Sequence, residues 1–244
     1  MSGHSKWSTI KHKKGAMDAK RGRIFTKLIK EITVAARGGG DIEANPRLRT
    51  AVLRARAANM PKDNIDRAIK KGTGELGAVE FFELTYEGYA PGGVGLLIEA
   101  LTDNKNRTSA NVKSILSKSG GQMAATGAVG YQFKRTGIIF VNGKKADEDK
   151  VMEVALEAGA DDILSEEDLI EIRIDPAKFE SVLDALQAAD IPNESAEITM
   201  LSENTVELDK EKAQKVLSLI EKLEDDDDVQ NVYSNLEFPD DMDD

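Results

Sequence analysis

The sequence has no cysteine, only two histidines and one tryptophan, and aromatic residues make up 5% of its 244 residues. The absence of cysteine excludes disulfides, thiolate metal sites and cysteine nucleophiles, and it favours a reducing compartment. No apolar run approaches the roughly 18–20 residues that a membrane span needs, and no apolar segment follows the N-terminal charges as in a secretory signal. We therefore expect a cytoplasmic location and no membrane partner.

Signatures of catalysis are also missing. The sequence has no G-x-x-x-x-G-K-[ST] phosphate loop, and both histidines, His4 and His12, lie in the first twelve residues, away from any triad arrangement. Gly72–Gly77 matches G-x-G-x-x-G, but the match follows a predicted helix and precedes a strand, which is the reverse of a dinucleotide site. We predict that the protein is not an enzyme and has no metal, no cofactor and no small-molecule substrate.

The charges are divided unequally along the chain. Residues 1–74 contain 18 Lys and Arg against 6 Asp and Glu, a net charge of +12, whereas the whole chain has a net charge of −11. Residues 75–244 therefore have a net charge of −23, from 15 Lys and Arg against 38 Asp and Glu. A strongly basic segment in an acidic protein indicates a polyanionic partner for that segment.

The first 17 residues are predicted to form a flexible arm, because glycine, serine and closely spaced lysines disfavour a helix. Trp7, the only tryptophan, lies in this arm. It either stacks on a base or packs against the helices that follow, and the sequence does not separate these alternatives. The histidines and lysines around it suit contacts with phosphates or bases.

A helix is predicted over Asp18–Arg37, since Ile24, Leu28 and Ile32 recur at the spacing of one helical face. The opposite face is basic. A solvated surface also explains such a face, but its single sign and its continuity with the arm favour nucleic acid. The candidate nucleic-acid-binding residues are His4, Lys6, Trp7, Lys11, His12, Lys13, Lys14, Lys20, Arg21, Arg23, Lys27 and Lys30.

Two more helices complete the basic segment. Asn45 is predicted to cap the second helix, with Pro46 in its first turn. Met60-Pro61 is predicted to open the third helix, and Gly72 to close it. Three helices with short connections predict a small bundle.

In residues 75–244, the acidic part of the chain, the apolar residues recur with the period of strands. Strands are predicted near 82–86, 94–101 and 129–134, with a helix from a cap at Asn106 to about Ser119. Residues 137–201 then follow a β-α-β-β-α-β pattern, which is that of a ferredoxin-like domain. A further strand, helix and strand lie between 206 and 236, and they supply what the 81–135 segment lacks for an α/β sandwich of its own.

The predicted fold class is therefore α+β, with an N-terminal basic three-helix bundle and two α/β sandwich domains. The predicted domains are a basic nucleic-acid-binding domain, 1–75, with its flexible arm, 1–17; a discontinuous α/β domain, 80–135 plus 204–238; and a ferredoxin-like domain, 136–203, inserted into it.

Two other features have alternative interpretations. The acidic runs Glu224–Asp228 and Asp240–Asp244 are most simply solvated ends, and the sharper hypothesis is that they mimic phosphate on the basic segment when nucleic acid is absent. Gly120-Gly121-Gln122 matches the tripeptide of peptide release factors. A helix cap and turn at the same place explain it more simply.

Several motifs together resemble the YebC/PmpR family. They are Gly3-His-Ser-Lys-Trp7, Ile10-Lys-His-Lys-Lys14, Asp18-Ala-Lys-Arg-Gly22, Phe25-Thr-Lys-Leu28, Asn45-Pro-Arg-Leu-Arg49, Asn59-Met-Pro-Lys-Asp-Asn64, Tyr86-Glu-Gly-Tyr-Ala-Pro-Gly-Gly93, Glu99-Ala-Leu-Thr-Asp-Asn-Lys-Asn-Arg-Thr108 and Ser119-Gly-Gly121. The resemblance runs from the start to the C-terminal strand and is most specific in the first 135 residues.

The resemblance implies a three-domain, non-catalytic regulator of gene expression. The family is described as transcriptional regulators that bind DNA, and a related branch as translational activators, including a mitochondrial one for cytochrome oxidase subunit one. Bacterial relatives are linked to ribosomes stalled on proline-rich sequences. The implied partners are thus duplex DNA or, alternatively, ribosomal RNA and the ribosome.

Overall fold

The structure is a computed structural model that describes residues 21–77, 80–166, 168–202 and 204–239. These residues form two compact units. The first unit contains the described residues of 21–128 and 214–232, and the second contains those of 129–213 and 233–239. Helices combined with mainly antiparallel sheets confirm the predicted α+β class.

The helices are α1 (Arg21–Ala35), α2 (Pro46–Ala57), α3 (Lys62–Gly72), α4 (Lys105–Lys118), α5 (Glu148–Glu157), α6 (Phe179–Ala188) and α7 (Lys210–Glu224). The strands are β1 (Phe82–Tyr89), β2 (Gly95–Thr102), β3 (Gln122–Met123), β4 (Phe133–Asn142), β5 (Asp162–Glu166), β6 (Leu169–Ile174), β7 (Asn193–Ser202), β8 (Val206–Glu207), β9 (Val229–Ser234) and β10 (Leu236–Glu237). Short 3-10 turns cover Ala36–Gly38 and Gly130–Gln132.

The first three helices share one apolar core, as their periodicity predicts. Leu28 and Ile32 of α1, Leu48 and Val52 of α2, and Ile65 of α3 are all buried in it. Burial of these side chains stabilises the bundle because apolar area leaves water, at roughly 25 cal/mol per Å². The three predicted helices are therefore confirmed.

Asn45 caps α2, as predicted. Its side-chain oxygen accepts a hydrogen bond from the backbone N–H of Leu48 at 3.1 Å. Its side-chain nitrogen donates to the carbonyls of Ala35 at 2.8 Å and Gly39 at 2.9 Å. One side chain therefore begins α2 and also satisfies carbonyls at the end of α1.

Gly72 does end α3, but its main role is to allow close packing. A Cβ at this position would lie 2.3 Å from the carbonyl oxygen of Thr33 and 2.6 Å from the Cβ of Ala36. The cap that follows, Thr73, has an ordinary helical backbone with φ −75°. Glycine is needed here because α3 approaches α1 so closely.

The first unit also contains a four-stranded sheet in the order β3-β1-β2-β9. β1 and β2 form an antiparallel hairpin that pairs Phe82 with Thr102 and Tyr89 with Gly95. Helix α4 follows β2, and its cap is Asn104, whose side chain accepts from the N–H of Arg107 at 3.0 Å. The prediction of Asn106 as the cap is wrong, because Asn106 lies inside the helix.

The second unit has a sheet in the order β5-β6-β4-β7, with antiparallel pairing throughout. Together with α5 and α6 it follows the predicted β-α-β-β-α-β order. Its core contains Ile139 of β4, Val151 of α5, Ile172 of β6 and Val182 of α6. A short parallel pair, β8 with β10, also lies in this unit.

β4 differs from the prediction. The sequence predicts a strand near 129–134 and a separate first strand of the β-α-β-β-α-β pattern from residue 137, but a single ten-residue strand runs from Phe133 to Asn142 through Gly137. A Cβ at Gly137 would lie 2.5 Å from the ring of Phe179, so glycine here reflects packing and does not break the strand. The predicted boundary between residues 135 and 136 falls inside β4, and the insertion of one domain into the other stays a prediction.

Candidate nucleic-acid interface

Most of the candidate residues lie outside the described part of the chain. The structure places the side chains of Arg23, Lys27 and Lys30, all on α1. It gives no account of the side chain of Arg21. The residues outside the described ranges are His4, Lys6, Trp7, Lys11, His12, Lys13, Lys14 and Lys20.

The three described cations all contact one acidic stretch of the first unit. We call residues Glu224–Asp228 the acidic segment. Arg23 forms an ion pair with Asp225, with 2.6 Å between Nη1 and Oδ1. The ammonium groups of Lys27 and Lys30 donate to the carbonyls of Glu224 and Asp227, each at 2.7 Å. The basic face of α1 thus contacts a carboxylate and two backbone carbonyls of the same chain.

The best-buried contact of this set is between Lys30 and Asp228. Lys30 Nζ lies 2.6 Å from Asp228 Oδ1, and the two side chains are 14% and 5% exposed. The interpretation of the acidic segment as a solvated end is therefore wrong at Asp228. In the rest of the segment, Asp225 contacts α1 through its carboxylate, while Glu224 and Asp227 contact it through backbone carbonyls, so the phosphate mimic stays a hypothesis.

Asp228 also joins α1 to the sheet and to α4. Its Oδ2 accepts hydrogen bonds from Arg107 Nη2 at 2.7 Å, Thr108 Oγ1 at 2.8 Å and Thr102 Oγ1 at 3.2 Å. Burial on its own raises the pKa of this carboxyl, but the hydrogen bonds from Lys30, Arg107 and Thr108 outweigh it and lower the pKa to about 2. Asp228 therefore remains ionised at every physiological pH.

Lys27 responds differently to its surroundings. Burial lowers its pKa, and the carboxylates of Glu224 and its acidic neighbours offset only part of that effect. Its ammonium group is directed at the Glu224 carbonyl. Lys27 is half-buried and holds α1 to the acidic segment, and its role in binding nucleic acid stays a prediction.

Two arginines of α2 are also engaged. Arg47 pairs with Glu83 at 2.8 Å, and Arg54 pairs with Glu31 at 3.1 Å. Both arginine side chains are more than half exposed. Exposed ion pairs contribute about 0–1 kcal/mol each, so phosphate can compete for these arginines more easily than for Lys30.

A cleft of about 430 Å³ lies beside these pairs in the first unit. Leu28, Leu84 and Leu101 contribute apolar walls. Its charged lining balances three cations, Lys27, Arg47 and Arg54, against three acids, Glu31, Glu83 and Glu99. A lining with no excess of positive charge does not favour a polyanion inside the cleft.

Gly120 and Gly121 form the turn after α4. Gly120 has φ +78°, and a Cβ at Gly121 would lie 2.6 Å from the carbonyl of Tyr89. Gln122 begins β3 and pairs with Tyr89. These constraints explain both glycines structurally, and the role of Gln122 in release-factor chemistry stays a hypothesis.

Within the described ranges, no group of three or more His, Asp or Glu side chains is placed to hold a metal ion. The helices of the same ranges are all too short or too polar to cross a bilayer.

Two family models cover nearly the whole chain. The model described as the TACO1/YebC protein N-terminal domain matches residues 5–75, and that of the TACO1/YebC second and third domain matches residues 81–236. The chain is 61% identical over 240 residues to a "Probable transcriptional regulatory protein" of Treponema denticola, covering 98% of this chain and 97% of that protein.

A second relative, from Desulforapulum autotrophicum, has the same descriptive name and is 57% identical over 243 residues, or 99% of this chain and 98% of that protein. Among solved structures, the crystal structure of a conserved hypothetical protein from Aquifex aeolicus matches with a TM-score of 0.79 and 47% identity. That match covers 93% of this chain and 94% of the Aquifex chain.

Proposed function

The chain belongs to the TACO1/YebC family, and on that premise we propose that it is a non-catalytic regulator of gene expression that binds nucleic acid through its basic N-terminal domain. The resemblance to the YebC/PmpR family is thereby confirmed. The names of the relatives support transcription regulation, and the target in this proposal is duplex DNA. Ribosomal RNA is the alternative target.

The observation that carries this proposal is the separation of charge. The first 74 residues have a net charge of +12 in a chain whose net charge is −11. A polyanion releases counterions when basic side chains replace them at its phosphates, and this release drives binding without any catalytic chemistry. The charge of the N-terminal domain therefore selects nucleic acid over a neutral partner.

In this proposal the arm supplies contacts that the helices do not. Lys6, Lys11, Lys13 and Lys14 neutralise phosphates, and Trp7 stacks on an unpaired or exposed base. His4 and His12 donate to phosphate or to base edges. Lys20 and Arg21 extend the same basic surface at the start of α1, next to Arg23, which pairs with Asp225.

Binding measured as a function of salt tests the proposal. Full-length protein is titrated against a labelled 20-base-pair duplex and an RNA hairpin of similar length, between about 50 and 200 mM salt. Replacement of Lys11, Lys13 and Lys14 by glutamine should weaken binding and reduce the salt slope by about three counterions at most. The matched control replaces three exposed lysines of the acidic part, Lys113, Lys118 and Lys222.

The control variant should bind like the wild type. Wild-type protein that binds neither nucleic acid at the lowest salt would contradict the proposed function. If neither triple variant changes the salt slope, the arm does not make the phosphate contacts.

One observation favours the alternative, a ribosome-associated translation factor that acts on ribosomes stalled at proline-rich sequences. The polar face of α1 contacts the acidic segment, so this helix does not present free side chains for reading base edges. A flexible arm with Trp7 suits folded RNA, where stacking and 2′-OH contacts dominate recognition. A DNA regulator should instead prefer one promoter over bulk DNA by roughly a thousandfold or more.

A further inference from the structure

Helix α2 is the most uniformly basic element among the described residues. It contains four arginines and no acidic residue, and the chain from Ala44 to Lys62 has none either. Its buried face is fully apolar. The charge of α2 therefore lies entirely on its outer side.

The arginines of α2 form two rows at a seven-residue step. Arg47 and Arg54 make one row, and Arg49 and Arg56 make the other, on opposite flanks of the outer face at 100° per residue. Leu53 lies between the rows and is 57% exposed. The outer face of α2 thus has an apolar centre flanked by guanidinium groups.

The two rows differ in their partners. Arg47 and Arg54 form ion pairs with carboxylates. Among the described residues Arg49 donates only to backbone carbonyls, those of Ile42 at 3.3 Å and Glu43 at 2.5 Å, and no described acid compensates its charge. Arg56 is exposed and has no ion pair or hydrogen bond from its side chain to any described residue.

We propose that the outer face of α2, formed by Arg49, Leu53 and Arg56, binds the sugar–phosphate strand of nucleic acid. This inference rests on the proposed function and names the surface that carries it out. The basic face of α1 contacts the acidic segment, whereas no carboxylate of the described residues pairs with Arg49 or Arg56.

The chemistry of this face suits phosphate better than other anions. Arginine binds phosphate with two parallel hydrogen bonds, and all four cations of α2 are arginines. Arg49 and Arg56 are about 10 Å apart along the helix at 1.5 Å per residue. Measured along the axis of a duplex, this separation corresponds to about three nucleotides at roughly 3.4 Å of rise each. Leu53 then lies against the sugars between the two phosphates.

The absence of cysteine from the sequence allows a direct test of this contact. Leu53→Cys places a single reactive thiol on the proposed surface. Leu156→Cys provides the matched control, since Leu156 is 51% exposed on α5 of the second unit. Reaction of each thiol with a maleimide is timed with and without the 20-base-pair duplex, the RNA hairpin, or vesicles of anionic phospholipid.

We expect nucleic acid to slow the reaction of the Leu53→Cys thiol at least about fivefold and to leave the Leu156→Cys thiol unchanged. Protection by the duplex, the hairpin or both supports the inference and identifies the strand. Equal rates with and without nucleic acid, or protection by vesicles only, would overturn it. If wild-type protein binds nucleic acid while the Leu53→Cys thiol stays unprotected, the proposed function stands and this surface is excluded.

A second variant measures the charge at the same place. Arg56→Gln should weaken binding about threefold to tenfold and lower the salt slope by about one, because one phosphate contact is lost. Lys113→Gln removes the same charge from an exposed site on α4 and should change neither quantity. Equal affinities for Arg56→Gln and wild type would count against the inference.

Discussion

Replacing Asp228 by asparagine should destabilise the first unit strongly. This carboxylate is nearly buried and bonds to Lys30, Arg107, Thr108 and Thr102. Its pKa falls from 3.8 to about 2, which corresponds to about 2 kcal/mol of stability at pH 7 at 1.36 kcal/mol per unit. Loss of the charge also leaves the poorly exposed Lys30 without its carboxylate, so we expect a total loss of about 2–4 kcal/mol.

The lowered pKa of Asp228 also determines how its contribution to stability depends on pH. The folded-state pKa is below the unfolded value, so the contribution is fully present above pH 3.8 and is lost as the pH falls towards 2. At pH 3 about 1 kcal/mol of it should already be gone. The difference in unfolding free energy between wild type and Asp228→Asn should shrink by that amount between pH 7 and pH 3.

Urea unfolding at both pH values measures these differences. Asp66→Asn is the control, because Asp66 is exposed on α3 of the same unit and should change the free energy by less than about 0.5 kcal/mol. An Asp228→Asn variant as stable as the control, or a difference that stays constant with pH, would refute this account of Asp228.

Three further outcomes follow from the structure. Asn45→Ala should lower the unfolding free energy by about 2 kcal/mol, at the upper end for a helix cap, since the side chain also binds two carbonyls at the end of α1; urea titration measures it. Gly72→Ala should lower the unfolding free energy by about 1–3 kcal/mol, since the new Cβ would lie 2.3 Å from the Thr33 carbonyl oxygen. A loss below about 0.5 kcal/mol in the same urea titration would contradict the close approach. Deletion of residues 239–244 should tighten nucleic-acid binding at low salt if the terminal acidic run competes with phosphate, and an unchanged affinity would remove that hypothesis.

The helices of the N-terminal domain could be predicted because every signal for them is local. The spacing of Leu28 and Ile32 predicts one buried face, and Asn45 followed by Pro46 predicts a helix start. The cap of α4 was missed because Asn104 and Asn106 both suit that position. The choice depends on Thr102, whose hydroxyl accepts from the N–H of Asn104 and so fixes the chain just before the helix.

The candidate site was less predictable, for a different reason. The basic face of α1 is visible in the sequence, but its partner lies almost 200 residues away, as the 198-residue separation of Lys30 and Asp228 shows. No periodicity links two such segments. For α2 a usable signal did exist. Four arginines with no acid between residues 44 and 62, and a leucine on their outer face, indicate a basic surface, but the pairing of Arg47 and Arg54 with acids of other elements could not be read from the sequence.

The central claim is that the N-terminal domain binds nucleic acid, and ultraviolet cross-linking in living cells tests it most directly. We predict that cross-linked peptides come from residues 1–74, with the attached nucleic acid clustered at a few sites. Promoter fragments would assign the protein to transcription, and one region of ribosomal RNA would assign it to translation. Cross-links confined to the acidic part of the chain, or absent above background, would contradict the claim.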